Sequence, residues 1–300
     1  MPKQPPQTDY EHLATQLDAT GDFRVLRRLL PRRQYADLGD ASVRRAVVVD
    51  VETTGLDART DSIIELAAVA FSYDPGTGTI GDVDEPLSFL QDPGVPIPAE
   101  ITALTGITQD MVRGKQIDEA AVAALVAGAP LIIAHNASFD RPFVDRRLPS
   151  LKGKSWACSL REIPWKTAGN NSSALDYLLF KHCNRFFEGH RAPDDCLALV
   201  HVLATPFKNG DPPLRLLLES ARKKTLRIWA IDAPIELKDL LKSRGYRWNP
   251  GTDGRPKAWN IELPDAAKEA EDKWLAEHVY AGRQNRSRAD SLDARTRYTL

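Results

Sequence analysis

The residues able to do chemistry gather in three short acidic segments. In the first, Val47-Val-Val-Asp-Val-Glu-Thr-Thr-Gly-Leu-Asp57, Asp50 and Glu52 stand two residues apart in an apolar run. Side chains alternate faces along a strand, so both acids should point one way while Val49 and Val51 point the other. Two anions side by side on a core strand are unfavourable unless something cationic binds them. Hard carboxylate oxygens suit Mg²⁺ or Mn²⁺. The second segment, Ala134-His-Asn-Ala-Ser-Phe-Asp140, sits where a strand gives way to a helix. Asn136 or Ser138 can cap that helix, and Asp140 falls in its first turn; alone, such an acid only compensates the helix dipole. The third, Gly189-His-Arg-Ala-Pro-Asp-Asp195, puts His190 in a loop before a helix whose first turn holds Pro193, Asp194 and Asp195. Alone, it reads as a solvated cap.

The elements that must position these groups follow from periodicity and turn residues. Strands are expected at Ala46–Val51, Ile63–Tyr73 and Pro86–Leu90, with a hairpin connection at Asp74-Pro-Gly-Thr-Gly-Thr. A short helix from Ile97, with Pro98 in its first turn, should end at Gly106. An amphipathic helix (Ile117–Ala127) precedes a strand at Pro130–Ala134, a helix from Ser138 to Arg147 and a strand near Ser155–Cys158. Helices near Ser173–His182 and Pro193–Ala204 follow. Meandering strands followed by alternating helices and strands imply an α/β layer fold, a mixed five-stranded sheet flanked by helices. Residues 1–43 read as an N-terminal extension, polar and disordered to about residue 10, then two short helices broken near Gly21. The basic run Arg24–Arg33 reads as a solvated helical face. Residues 44–205 form the first domain, 206–224 a linker, 225–282 a smaller α+β module, and 283–300 a disordered tail.

Composition narrows the class. The 300 residues carry 40 Lys/Arg against 41 Asp/Glu, a net charge of -1, which argues against a wholly basic nucleic-acid coat but not against a local basic surface. Cys158, Cys183 and Cys196 are an odd set without C-x-x-C spacing, which argues against a disulfide framework or a zinc site and favours a reducing compartment. No apolar window approaches transmembrane length and the N-terminus has no apolar signal core, so a cytoplasmic protein with no membrane partner is expected.

Taken together, the three segments resemble the DEDDh (DnaQ-like) 3′–5′ exonuclease superfamily, the proofreading-type enzymes typified by the epsilon subunit of bacterial DNA polymerase III. The matching residues are Asp50 and Glu52 in D-V-E-T-T-G, Asp140 in H-N-A-S-F-D, and His190 with Asp195 in H-R-A-P-D-D; Ile97–Met111, with Leu-Thr-Gly-Ile-Thr, is similar to the family's loop beside the active site. Pro193 departs from the family, where a larger apolar residue is common. The resemblance covers residues 44–205 and implies a ribonuclease H-like fold and two divalent metal ions, Mg²⁺ or Mn²⁺. Asp50 would bridge the two, Glu52 and Asp195 would complete one site, and Asp140 would serve the other. His190 would take the proton from the attacking water. The implied reaction removes 5′-mononucleotides from DNA 3′ ends, single-stranded or frayed, in proofreading or repair beside a polymerase or repair protein. The alternatives are a 3′–5′ exoribonuclease of the oligoribonuclease or RNase T kind acting on RNA, or a nucleic-acid-binding module without turnover.

Beside the metal site, Thr53, Thr54, Gly55 and Leu56 should line the terminal nucleotide, with Gly55 allowing close approach. Asn136 and Phe139 are further substrate candidates. His135 reads as a structural histidine, Glu65 as either a supporting partner or a structural hydrogen-bonding group, and Cys196 and Leu199 as packing residues. Residues 205–260 hold twelve Lys/Arg against six Asp/Glu, a local net of about +6. Lys238, Lys242, Arg244 and Arg247 are expected as nucleic-acid contacts, with Trp248 and Trp259 forming the core of the small module.

Overall fold

Val, Ile and Ala dominate two long strands, and the rest of the first domain is built on them. The computed structural model describes residues 9–39, 42–252 and 254–299. Helix α1 (Tyr10–Ala19) and a two-residue strand β1 (Arg27–Arg28) precede β2 (Arg44–Thr53), β3 (Ile63–Tyr73), β4 (Ile80–Val83) and β5 (Leu87–Leu90). Then come α2 (Ala99–Thr105), α3 (Gln109–Val112), α4 (Glu119–Ala127), β6 (Ile132–Ala134), α5 (Ala137–Arg147), β7 (Trp156–Cys158), α6 (Ser159–Glu162), α7 (Leu175–Lys181), β8 (Arg185–Phe186) and α8 (Ala192–Ala204). Among the described residues the sheet runs β4-β3-β2-β6-β7, with the short β5 also pairing β3. β2 and β3 are antiparallel, while β2, β6 and β7 are parallel. The mixed sheet is therefore the expected one with an additional short strand. The Asp74–Thr79 turn leads into β4, and both β4 and β5 pair along the eleven-residue β3.

Helices cover both faces, so β2 and β3 are almost continuously buried. Val47, Val49 and Val51 belong to the core beneath α4 and α5, whereas Ala46 and Val48 belong to the one beneath α7 and α8. Asp50 and Glu52 share the parity of Ala46 and Val48, and therefore face α8. The Cys196 thiol reaches the carbonyls of Val48 and Ala67, 3.8 and 3.6 Å away, which seats α8 directly across β2 and β3. Leu199 is buried in the same layer.

Three expectations are corrected in this domain. Beyond Gly21, at φ 79°, the chain is extended, and Arg27–Arg28 pairs in parallel with Arg185–Phe186 in place of a second helix. Arg27 pairs with Glu11 and Asp18, and Arg24 caps the Phe180 carbonyl, so this basic run is tied down. The disorder expected up to residue 10 falls mainly on residues 1–8, outside the described ones. The supposed linker contains α9 (Pro213–Arg222), whose Leu214, Leu217, Leu218 and Ala221 pack into the α8 core. An apolar stripe at helical spacing overrode the Pro and Gly signals around it.

The C-terminal module begins with β9 (Thr225–Ala230), α10 (Lys238–Arg244), β10 (Arg247–Asn249), β11 (Ala258–Pro264) and α11 (Lys268–His278). The tail expected to be disordered forms β12 (Ser287–Leu292), antiparallel to β9, and the sheet order is β10-β11-β9-β12. Ser-Arg-Ala-Asp-Ser-Leu has little strand propensity of its own. It is recruited because β9 otherwise presents unpaired backbone groups, and Asp290 also accepts from the Trp229 indole at 2.7 Å. Residues 293–299 then return to the first domain. The buried Arg141, 1% exposed, donates to the carbonyls of Arg295 and Arg297 at 2.5 and 2.6 Å. Trp156 donates its backbone N–H to the Ala294 carbonyl at 2.6 Å, and Glu162 takes both Arg297, at 3.2 Å, and the Tyr298 hydroxyl, at 2.9 Å. The module is thereby clamped to the edge of the main sheet. Among the described residues no helix is long and apolar enough to cross a membrane.

Candidate active site

The end of β2, the start of α5 and the start of α8 bring the acidic segments together. Carboxylate oxygens of Asp50, Glu52 and Asp195 lie within 4.8 Å of one another. Asp140, only 3% exposed, stands behind them, and its charge acts on Asp50. Burial first, and then the charges of Asp140, Asp195 and Glu52, push Asp50 well above the ordinary carboxylate range. Burial raises Asp140 to about 8, against backbone N–H groups of Asp140 itself and Val51 that pull the other way. Burial and then the Asp195 charge raise Glu52 to about 7; burial raises Asp195 to about 6. Four acids whose pKa values are raised in one cluster, against only partial relief from Arg191 on Glu52 and His190 on Asp195, form an anionic cage. Oxygen-only donors at this spacing fit a hard divalent cation.

His190 is exposed and lies outside the three-carboxylate cluster. Its backbone adopts φ 69°, in the left-handed region that costs a non-glycine residue energy. The imidazole is close enough for its charge to lower Asp195, and it makes no hydrogen bond among the described residues, so it stands at the mouth of the cage.

Glu65 supports the third segment. It faces Glu52 across the β2–β3 pair and is 1% exposed. It accepts from Arg191 Nη2 and Nε at 2.7 and 3.0 Å and from the Ala192 backbone N–H at 3.0 Å. One buried carboxylate thus pins the residue after His190 and caps α8 three residues before Asp195. Glu65→Gln should lower kcat about 10- to 100-fold with a smaller change in KM, because such supporting partners orient the ligands. Steady-state kinetics separate the two, and a change confined to KM would remove this role.

The turn after β2 is braced by its own side chains. Thr53 and Thr54 are buried, and their hydroxyls serve the turn: Thr53 donates to the Gly55 carbonyl at 2.6 Å, and Thr54 accepts from the Ser62 amide at 3.0 Å. The room left by Gly55 is taken by Asp61, whose Oδ2 would be 2.6 Å from an added Cβ. Gly55 therefore admits a carboxylate of the same turn. Leu56, 86% exposed, faces solvent. It lines a cleft of about 410 Å³ with Asn136, Ser138 and Phe139. Asn136 makes no side-chain cap for α5; it accepts instead from Ser138 at 3.4 Å. Phe139 packs on Phe143, ring centroids 5.1 Å apart. His135 bridges Ser159 and the Ser173 carbonyl, each at 2.8 Å, and burial lowers it to about 4. It is a structural histidine.

In the module, Trp259 is buried as expected, but Trp248 is 46% exposed because the β10 edge lacks a covering layer. Arg244 is exposed but engaged, paired with Glu271 at 2.9 Å and stacked 4.5 Å over Trp274. Lys238 and Lys242 are exposed on α10, and Arg247 is exposed on β10. The three cysteines are buried and free.

The family model described as Exonuclease matches residues 47–203, which contain all four cage carboxylates and His190. Among curated proteins, DNA polymerase III PolC-type of Clostridium perfringens (strain 13 / Type A) is 35% identical over 169 residues, covering 54% of this chain and 11% of that protein. The PolC-type polymerase of Thermotoga maritima is 31% identical over 176 residues, covering 55% and 12%. The chain thus spans about a tenth of these relatives' length. Among solved structures, exonuclease X in complex with 5′ overhanging duplex DNA has a TM-score of 0.39 at 26% identity, covering 58% of this chain and 90% of that one. The E. coli ExoI–ssDNA complex has a TM-score of 0.49 at 17% identity, covering 74% and 63%.

Proposed function

The chain belongs to the exonuclease family, and from that premise we propose that it is a metal-dependent 3′–5′ exonuclease that removes 5′-mononucleotides from single-stranded or frayed DNA 3′ ends. The observation that carries this reading is the convergence of Asp50, Glu52 and Asp195 within 4.8 Å, with Asp140 buried beside them. DNA is favoured because the curated relatives are named as DNA polymerases. Proofreading or repair is the matching role, with a polymerase or repair protein as partner.

In this mechanism Asp50, Glu52, Asp140 and Asp195 would hold two divalent cations, Mg²⁺ or Mn²⁺. When bound, these supply charge stabilisation for the attacking and leaving oxygens. Cation binding would displace the protons that these raised acids hold in its absence. His190, exposed at the mouth and unencumbered by internal hydrogen bonds, accepts the proton of the attacking water. Glu65, through Arg191, holds that loop and Asp195 in register. Leu56 and Phe139 present apolar surface to the terminal nucleotide and Asn136 a polar edge.

End-labelled single-stranded DNA, duplex DNA and RNA, each incubated with Mg²⁺ and with EDTA, test the reading. Mononucleotide release from the 3′ end of DNA, abolished by EDTA and reduced roughly 10²- to 10⁴-fold in His190→Ala, is the expected result. Undiminished release in EDTA would refute it.

A further inference from the structure

The C-terminal module reaches the catalytic domain at the cleft beside the site. Asn249 at the end of β10, with Pro250 and Thr252 of the following loop, completes the wall of the cleft that Leu56 and Phe139 open. The Thr252 carbonyl accepts from Arg59 at 2.9 Å. A second groove, of about 630 Å³, runs over the module and is lined by Arg161, Arg227, Arg247, Trp248 and Arg255 with Glu262. Arg161 and Asn249 border both, so the two depressions adjoin.

The groove's charge is unbalanced. Its acid, Glu262, is already paired with Arg227. Arg161 and Arg247 are exposed and make no salt bridge among the described residues. Between them the Trp248 indole offers an open face, tilted 60° to Trp259 with centroids 5.6 Å apart. Unneutralised guanidinium groups beside an exposed aromatic face are what a single strand engages: phosphates meet the cations, and a base stacks on the ring. The lining is mostly cationic and polar around the aromatic ring, which suits a polyanionic strand.

We infer that the single strand whose 3′ end occupies the catalytic site continues 5′-ward past Arg161 and Asn249 into the module groove, where Arg161 and Arg247 bind phosphates and Trp248 stacks a base. This rests on the exonuclease reading for the polarity of the strand. It also moves the module's contact surface: Lys238, Lys242 and Arg244 do not line this groove. The clamp made by residues 293–299 holds the groove at a fixed place relative to the cleft, so both can act on one strand with little ordering cost.

Two measurements on the full-length protein separate the claims. In EDTA, where hydrolysis cannot interfere, anisotropy of a labelled oligothymidylate gives affinity and its salt dependence. Trp248→Ala should weaken binding about tenfold. Arg161→Ala and Arg247→Ala should each weaken it and reduce the log–log salt slope by about one. Both are exposed, so folding is not at stake, which guards against a Trp248→Ala protein that fails to fold. With Mg²⁺, the ratio of kcat/KM for a long strand to that for a dinucleotide should fall about tenfold in the same variants. Unchanged affinity, slope and ratio in the arginine variants would overturn the groove and leave it as a protein contact. Absence of hydrolysis in the wild-type protein, with normal strand binding, would overturn the exonuclease reading alone.

Discussion

Asp50→Asn protein should lose roughly 10³-fold or more in kcat while becoming more heat-stable than the wild type in EDTA at pH 8. Asp50 is half-buried beside Asp140, Asp195 and Glu52, and desolvation followed by those charges raises its pKa. Its carboxylate therefore destabilises the metal-free fold, and an isosteric amide removes that repulsion without leaving a cavity. A gain of about 3 °C in Tm corresponds to roughly 2 kcal/mol in a chain of this size. Opposite signs in activity and stability are what a functional acid cluster requires, because the strain it stores is relieved by losing function. Thermal melts in EDTA together with a discontinuous nuclease assay check both halves. A variant that is both less stable and fully active would mean that Asp50 is an ordinary structural acid.

Metal-induced stabilisation should be small at pH 5 and large at pH 8. The folded-state values of about 6 for Asp195, 7 for Glu52 and 8 for Asp140 all lie above the ordinary carboxylate value near 4. For groups raised in this way, the metal-free fold is favoured below about pH 4, where the cage is protonated in both states. That stability is progressively lost as pH rises from about 4 to about 8, since the unfolded chain ionises first. A divalent cation needs the ionised cage, so its binding competes with protons and strengthens over the same window. At roughly a hundredfold excess over Kd, Mg²⁺ or Mn²⁺ should add about 2.7 kcal/mol, or roughly 4 °C in Tm, near pH 8. Calorimetry at several pH values with and without EDTA gives the result directly. A Tm increment independent of pH would place the cation elsewhere. Hydrolysis should rise with pH across the same interval.

The local chemistry of the site could be read because its signals are short in range. A period of two puts Asp50 and Glu52 on one side of β2 wherever the strand lies, and that side proved to be the one beneath α8. The strand-to-helix junction before Asp140 and the Pro-Asp-Asp start of α8 likewise depend on a few neighbouring residues. The layered fold followed from the same periodicities. Segments whose structure depends on a distant partner were not readable. Arg191 could have been noticed as the cation beside His190, but its anion, Glu65, is 126 residues away in sequence. Helix α9 was hidden by the prolines and glycine that precede it, although its leucines carried the correct spacing.

The sequence by itself determined which residue types are available for catalysis and on which face of which element each stands, since strand and helix periods are properties of the local backbone. Tertiary structure decided the rest. It converted the polar Ser287–Leu292 into a strand by offering the open edge of β9, and it exposed Trp248 on an uncovered β10 while burying Trp259. It filled the space beside Gly55 with Asp61. It also joined the cleft at Leu56 and Phe139 to the module through Asn249 and Arg161. Each of these depends on pairing between backbone edges or charges far apart in the chain, and such pairing is settled only when burial makes an unsatisfied partner costly.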